Sequence, residues 1–88
     1  MNIERFHNEL AMRLGYERIV NDKRILISVE ESDDPVVTLK VQGCEDIQFK
    51  ASAGAERVKS ASGNVMQDEI DTIVFATQQA YKQAIKPF

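Results

Sequence analysis

Tryptophan is absent from this 88-residue chain, and histidine and cysteine occur once each. Catalysis usually draws on a nucleophile, a base and a third group that orients them. His7 and Cys44 cannot supply a histidine pair, a thiol pair or a zinc set. The chain also lacks a Gly-x-Ser-x-Gly elbow, a phosphate loop and a dinucleotide fingerprint. The expectation is a protein that is not an enzyme and carries neither metal nor cofactor. A lone cysteine excludes an internal disulfide, and no apolar h-region with a small-residue cleavage site opens the chain, which points to the cytoplasm. No apolar run approaches the roughly 20 residues of a bilayer span, so no membrane association is expected. Internal repeats, low-complexity tracts and long blocks of like charge are missing too, leaving no solenoid and no charged tail.

What remains is the make-up of one ordinary globular domain, with 43% apolar and 28% charged residues. A net charge of -3 and a pI near 5.1 disfavour a protein whose main work is neutralising phosphates.

The longest periodic stretch, Asn64 to Lys86, predicts an amphipathic helix. On a wheel of about 100° per residue, Met66, Ile70, Ile73, Val74, Thr77, Tyr81, Ala84 and Ile85 gather on one side, with Ala80 at the margin. Asp68, Asp71, Gln78, Gln79, Lys82 and Lys86 fill the other. Asn64 is the expected N-cap, Gln67 completes a capping box, and Pro87 ends the helix. Phe75 alone breaks the pattern by projecting from the polar face.

At the other end, Ile3, Phe6, Leu10 and Leu14 predict a short helix over Asn2 to Leu14, capped by Asn2 and closed by Gly15 in a left-handed conformation. His7 falls on its apolar face and reads as a packed or boundary residue. A short edge strand over Tyr16 to Val20 turns at Asn21-Asp22-Lys23 into a strand from Arg24 to Glu30. Val37, Leu39 and Val41 then alternate with polar residues, as do Ile47, Phe49 and Ala51. Keeping every apolar row on one face sets Val29 against Val37, Ile27 against Leu39 and Ile25 against Val41. For the last pair it sets Val41 against Ile47, Leu39 against Phe49 and Val37 against Ala51. The opposite face is then polar and mildly basic, carrying Lys40 and Lys50. The fold class is α+β: a two-layer sandwich in which both helices cover one face of an antiparallel meander of three or four strands. Ile27, Leu39, Phe49, Ile70, Ile73, Val74 and Tyr81 are the expected centre of the core, closed by Leu10.

In its order of helix, three strands and helix, the chain resembles the double-stranded-RNA-binding domain. That family meets phosphates with a lysine-rich start to its second helix. The corresponding residues here are Val65-Met66-Gln67-Asp68-Glu69, two of them acids, so no site residue carries over. The run Glu30-Glu31-Ser32-Asp33-Asp34 lacks the spacing and glycine of a calcium loop and reads as a charged hairpin tip. Cys44 sits in a turn beside Glu45 and Asp46, a poor setting for a nucleophile.

A complete core beside an absence of chemistry points to a small protein-interaction module, an accessory or inhibitory factor with a protein partner. Two groups of residues are candidates for that contact. Phe75, with Asp71, Gln78 and Lys82 at its rim, fits the anchor of a homodimer or partner contact. Glu30, Glu31, Asp33 and Asp34 fit a mimic of nucleic-acid charge that occupies a partner's basic groove. The alternative is RNA or single-strand binding through Lys40 and Lys50, joined by Arg57 and Lys59 from the long 52–63 loop.

Overall fold

Asn2 begins the first element in the computed structural model, which describes residues 1–20, 22–53 and 67–86. Its side chain accepts from the Arg5 amide at 3.0 Å, and helix α1 runs Ile3–Arg13. Such a cap satisfies one of the amides that a helix start leaves without a partner. Leu14 closes the helix, and Gly15 follows at φ +73, a conformation that costs glycine little because it has no Cβ.

Four strands follow, β1 (Glu17–Val20), β2 (Lys23–Glu30), β3 (Val36–Val41) and β4 (Ile47–Lys50), before helix α2 (Gln67–Ala84). The short edge strand is present, so the order is α-β-β-β-β-α and differs from the three-stranded order of the RNA-binding resemblance. The strands form one antiparallel sheet in chain order. Val20 pairs with Lys23 across a two-residue connection in which Asp22 sits at φ 63, a left-handed position that Asp tolerates better than most residues.

The β2–β3 register is the expected one, with Val29 opposite Val37, Ile27 opposite Leu39 and Ile25 opposite Val41. The β3–β4 register is displaced by two residues from the expected pairing. Leu39 faces Ile47, and Val37 faces Phe49. The chain turns as soon as Val41 ends, where the Cys44 amide bonds the Val41 carbonyl at 3.0 Å and Gly43 supplies φ +78. A slip of two keeps every side chain on its own face, so alternation alone could not distinguish the two pairings.

One face of the sheet is buried by Ile25, Ile27, Val37, Leu39, Val41, Ile47 and Phe49. Phe6 and Leu10 of α1 and Ile70, Ile73, Val74, Ala80 and Ala84 of α2 close the same core. Of the eight expected core residues only Tyr81 stays partly exposed, packed at the margin. Burying side chains of this size stabilises by about 1.5 to 3 kcal/mol each, as an upper estimate. Thr77 is buried among them, its hydroxyl donating to the Ile73 carbonyl at 2.8 Å, so no polar atom is stranded there.

The two helices lie side by side, and the Asn2 amide bonds the Ala84 carbonyl at 3.1 Å. The start of α1 is thereby joined to the end of α2, which makes the pair antiparallel. Among the described residues, no helix is long and apolar enough to cross a membrane. The expected cap at Asn64, Met66, the terminating Pro87, and Arg57 and Lys59 with most of the 52–63 loop lie outside the described residues.

Candidate functional site

Among the described residues, two surfaces and one cluster present chemistry outward. The first surface is the outer side of the helix layer. Phe75 is 59% exposed there, at the middle of α2, with Asp68, Thr72 and Lys82 exposed on the same side and Asp71, Gln78 and Gln79 half-buried around it. The helical period places Phe75 about 160° from the buried Thr77, so the same repeat that fills the core forces the ring away from it. The Asp71 carboxylate accepts from the Gln67 side-chain amide, Nε2, at 2.8 Å, and the Thr72 hydroxyl donates to the Asp68 carbonyl at 2.9 Å.

A second apolar side chain shares this surface. Met12, on the outward side of α1, is 76% exposed. Because Asn2 meets Ala84 and the helices run antiparallel, Met12 stands about 15 Å along α1 from that junction and Phe75 about 13.5 Å along α2. The two are therefore level, on neighbouring helices. Sequence reasoning missed Met12 because one apolar residue on the polar side of a short helix carries no periodic signal. Its position matters only once the direction of the two helices is known.

The second surface is the open face of the sheet. Its cross-strand rows run Glu17–Leu26–Lys40, Ser28–Thr38–Gln48 and Glu30–Val36–Lys50. Ile19, 70% exposed, and Leu26, 39% exposed, floor a shallow groove of about 590 Å³ that Asp22, Arg24, Lys40, Val41 and Gln42 complete. Arg24 Nε lies 3.2 Å from Glu17 Oε2 across this groove. Lys40 and Lys50 are both exposed on this face, as expected. The displaced β3–β4 register moves Lys50 from the row of Thr38 to the row of Val36, leaving it about 14 Å along the strands from Lys40. No aromatic side chain occupies this face among the described residues.

The acidic run is divided between different tasks. Glu30 points to the open face in the row of Val36, and Asp33 is exposed at the hairpin tip. Asp34 turns back into the protein, where Oδ1 accepts from the Ser52 amide at 3.1 Å and Oδ2 from the Ser52 hydroxyl at 2.6 Å. Glu31 reaches α1, with Oε1 3.1 Å from His7 Nε2.

His7 thus joins a cluster, because its Nδ1 lies 2.8 Å from the Tyr16 hydroxyl. With Nε2–H donating to Glu31, the neutral ring leaves Nδ1 to accept from Tyr16. The Tyr16 phenol, pushed above its ordinary range by partial burial and protonated at neutral pH like any phenol, is able to donate. The arrangement pins α1 to the α1–β1 link and to the β2–β3 hairpin. It places His7 at the boundary of the core, as its position in the α1 pattern suggested.

No family model, curated protein or solved structure matches this chain. The surfaces have to be judged on their own chemistry. Among the described residues, no group of three or more His, Cys, Asp or Glu side chains is placed to hold a metal ion. The polar groups of the His7 cluster are engaged with one another. The helix-layer surface has exposed apolar side chains at its centre and polar ones around them, the anatomy of a protein contact.

Proposed function

We propose that this protein is a cytoplasmic, non-enzymatic protein-interaction module whose contact surface is the outer side of its helix layer. The observation that carries the reading is Phe75, an aromatic ring more than half exposed among Asp71, Gln78 and Lys82 on a well-anchored helix. Aromatic rings at the centre of a contact, ringed by polar groups that exclude water, supply most of the binding energy of typical interfaces. Met12 enlarges the apolar centre across the seam between the helices.

Charge mimicry draws less support. Asp34 and Glu31 are committed to Ser52 and His7, leaving Glu30 and Asp33 as the outward carboxylates of the run. Nucleic-acid binding on the open sheet face would need stacking rings and closely placed cations. That face has Lys40 and Lys50 well apart and a glutamate beside its arginine.

Site-specific photo-cross-linking tests the proposal. A photoreactive residue placed at Gln78, beside the ring, is expected to give a covalent adduct with a polypeptide in cells making the protein, and Phe75→Glu is expected to abolish it. Absence of any polypeptide adduct, with the same residue reacting efficiently in a known complex, would overturn the reading.

A further inference from the structure

We propose that the partner is a second copy of this chain, bound helix layer to helix layer about a two-fold axis that passes beside Phe75, with α2 antiparallel to its mate. This rests on the reading of the helix layer as a contact surface and names what occupies it.

The argument comes from the order of charges along α2. Asp68, Phe75 and Lys82 are seven residues apart and form one stripe, two turns between neighbours, with the acid toward the start of the helix and the base toward its end. A two-fold axis at Phe75 reverses the helix, so that each residue of the stripe meets the one equally far on the other side of the ring. Asp68 then faces Lys82 of the partner subunit, and Lys82 faces Asp68 of the partner subunit. On the flanks, where each side of the stripe stays on its own side, Asp71 meets Gln78 and Thr72 meets Gln79, and the two rings meet at the axis. No like charges are opposed, and the helix dipoles run in opposite directions. A parallel pairing would set Asp68 on Asp68 and Lys82 on Lys82. The stripe is therefore complementary to itself in one orientation only.

The same operation accounts for Met12. An axis lying in the interface and perpendicular to α2 keeps α1 on its own side while reversing it, so α1 lies on the partner's α1. Met12, level with Phe75, meets its own copy. Phe75 and Met12 are thus covered by one symmetry operator, as an isologous contact requires. The layer is also large enough. Its helices of 11 and 18 residues, lying about 9 Å apart, offer roughly 500 Å² each in projection, or about 1,000 Å² over both copies, where specific interfaces begin. An unrelated partner would have to present the opposite charges in reverse order around an apolar centre; the chain itself already does so.

Sedimentation equilibrium on the full chain, from about 10 μM to 1 mM, decides the matter. Wild type is expected to dimerise in this range, and Phe75→Glu to remain a folded monomer, with association weakened by at least about 100-fold. Met12→Glu, a second substitution at an exposed site, is expected to weaken association in the same direction. Asp68→Lys and Lys82→Asp each turn two attractive pairs into repulsive ones and should raise Kd by about 5-fold. Combining them exchanges the ends of the stripe and should return Kd to within about twofold of wild type. Circular dichroism checks that each variant is folded, because the two charges also complement the helix dipole.

A wild type that stays monomeric at 1 mM overturns the proposal, as does a dimer untouched by Phe75→Glu. A dimer that Phe75→Glu disrupts but the paired charge exchange fails to rescue overturns the antiparallel arrangement. If the photoreactive residue at Gln78 links to a different protein while wild type is monomeric, the dimer is wrong and the interaction reading stands. If it links to nothing, both fall.

Discussion

The two outward faces of the molecule carry similar side chains and arrange them oppositely. On the open sheet face, charges of both signs are interleaved. Glu17 pairs with Arg24 across the groove, and Glu30 and Lys50 flank Val36 in one row. Strand alternation and the closeness of neighbouring strands make that mixing almost unavoidable, since every side chain has cross-strand neighbours about 5 Å away. Along α2, acid and base are segregated. Asp68 and Lys82 lie about 21 Å apart along one helix, too far to meet within the molecule. The sheet face pairs its charges internally, while α2 holds the two ends of a charge gradient apart, with Phe75 at the midpoint. Apolar exposure alone does not separate the two, because Ile19 is as open as Met12. The distribution of charge around the apolar residues does.

One core holds both faces in place, and removing part of it should have the largest effect on either. Leu39 on β3 and Ile73 on α2 are completely buried from opposite layers. Leu39→Ala or Ile73→Ala should each cost about 2 to 5 kcal/mol in urea melts, the sum of lost transfer energy and a cavity. That is a large part of what a small domain has. A cost below about half a kcal/mol for either would mean that the layers do not meet as described.

Two smaller changes test how the sheet is tied down. Asp34→Ala removes both acceptors of Ser52, the bonds that hold the chain leaving β4 against the β2–β3 hairpin, and should cost about 1 to 2 kcal/mol. Asp34→Asn, which keeps an acceptor, should recover about half. If Asp34→Ala is neutral, the carboxylate is free for a partner after all. Across the layers, Arg18 on the inward side of β1 pairs with Glu69 on α2, both largely shielded from water. A double-mutant cycle with Arg18→Ala and Glu69→Ala should give a coupling of about 0.5 to 1 kcal/mol, since partial exposure and screening limit such pairs. Additive costs would show that β1 and α2 are not linked there.

Which of these features were legible beforehand follows from the range of the forces that set them. Helix phases, the caps at Asn2 and Gly15 and the β2–β3 register are fixed by neighbours in sequence or by the need to keep one face dry, and they follow from the residues. The β3–β4 pairing did not, because Gly43 rather than alternation sets where the turn begins, and a two-residue slip costs no burial. Phe75 was visible as a lone ring on a polar face. Its neighbour Met12, and the joining of His7 to Tyr16 and Glu31, depend on how separate elements meet, which no local pattern encodes.

The smallest expected effect is also the sharpest test of the sheet face. Lys40→Glu combined with Lys50→Glu reverses two exposed charges on it. Surface charges away from caps and networks usually matter little to stability, so the double variant should melt within about 0.5 kcal/mol of wild type. Lys40 lies beside Leu26 and Lys50 beside Val36, in separate rows, so neither substitution alters the surroundings of the other. The same variant should leave the sedimentation behaviour unchanged, because the proposed contact is on the opposite layer. Retention on heparin at about 0.1 M salt should be negligible in both proteins, given the net charge of -3. Strong retention of wild type that the double variant loses would move the functional surface from the helices to the sheet. A double variant that unfolds would mean instead that something covers this face, and the contrast between a face closed on itself and a face open to a partner would fail with it.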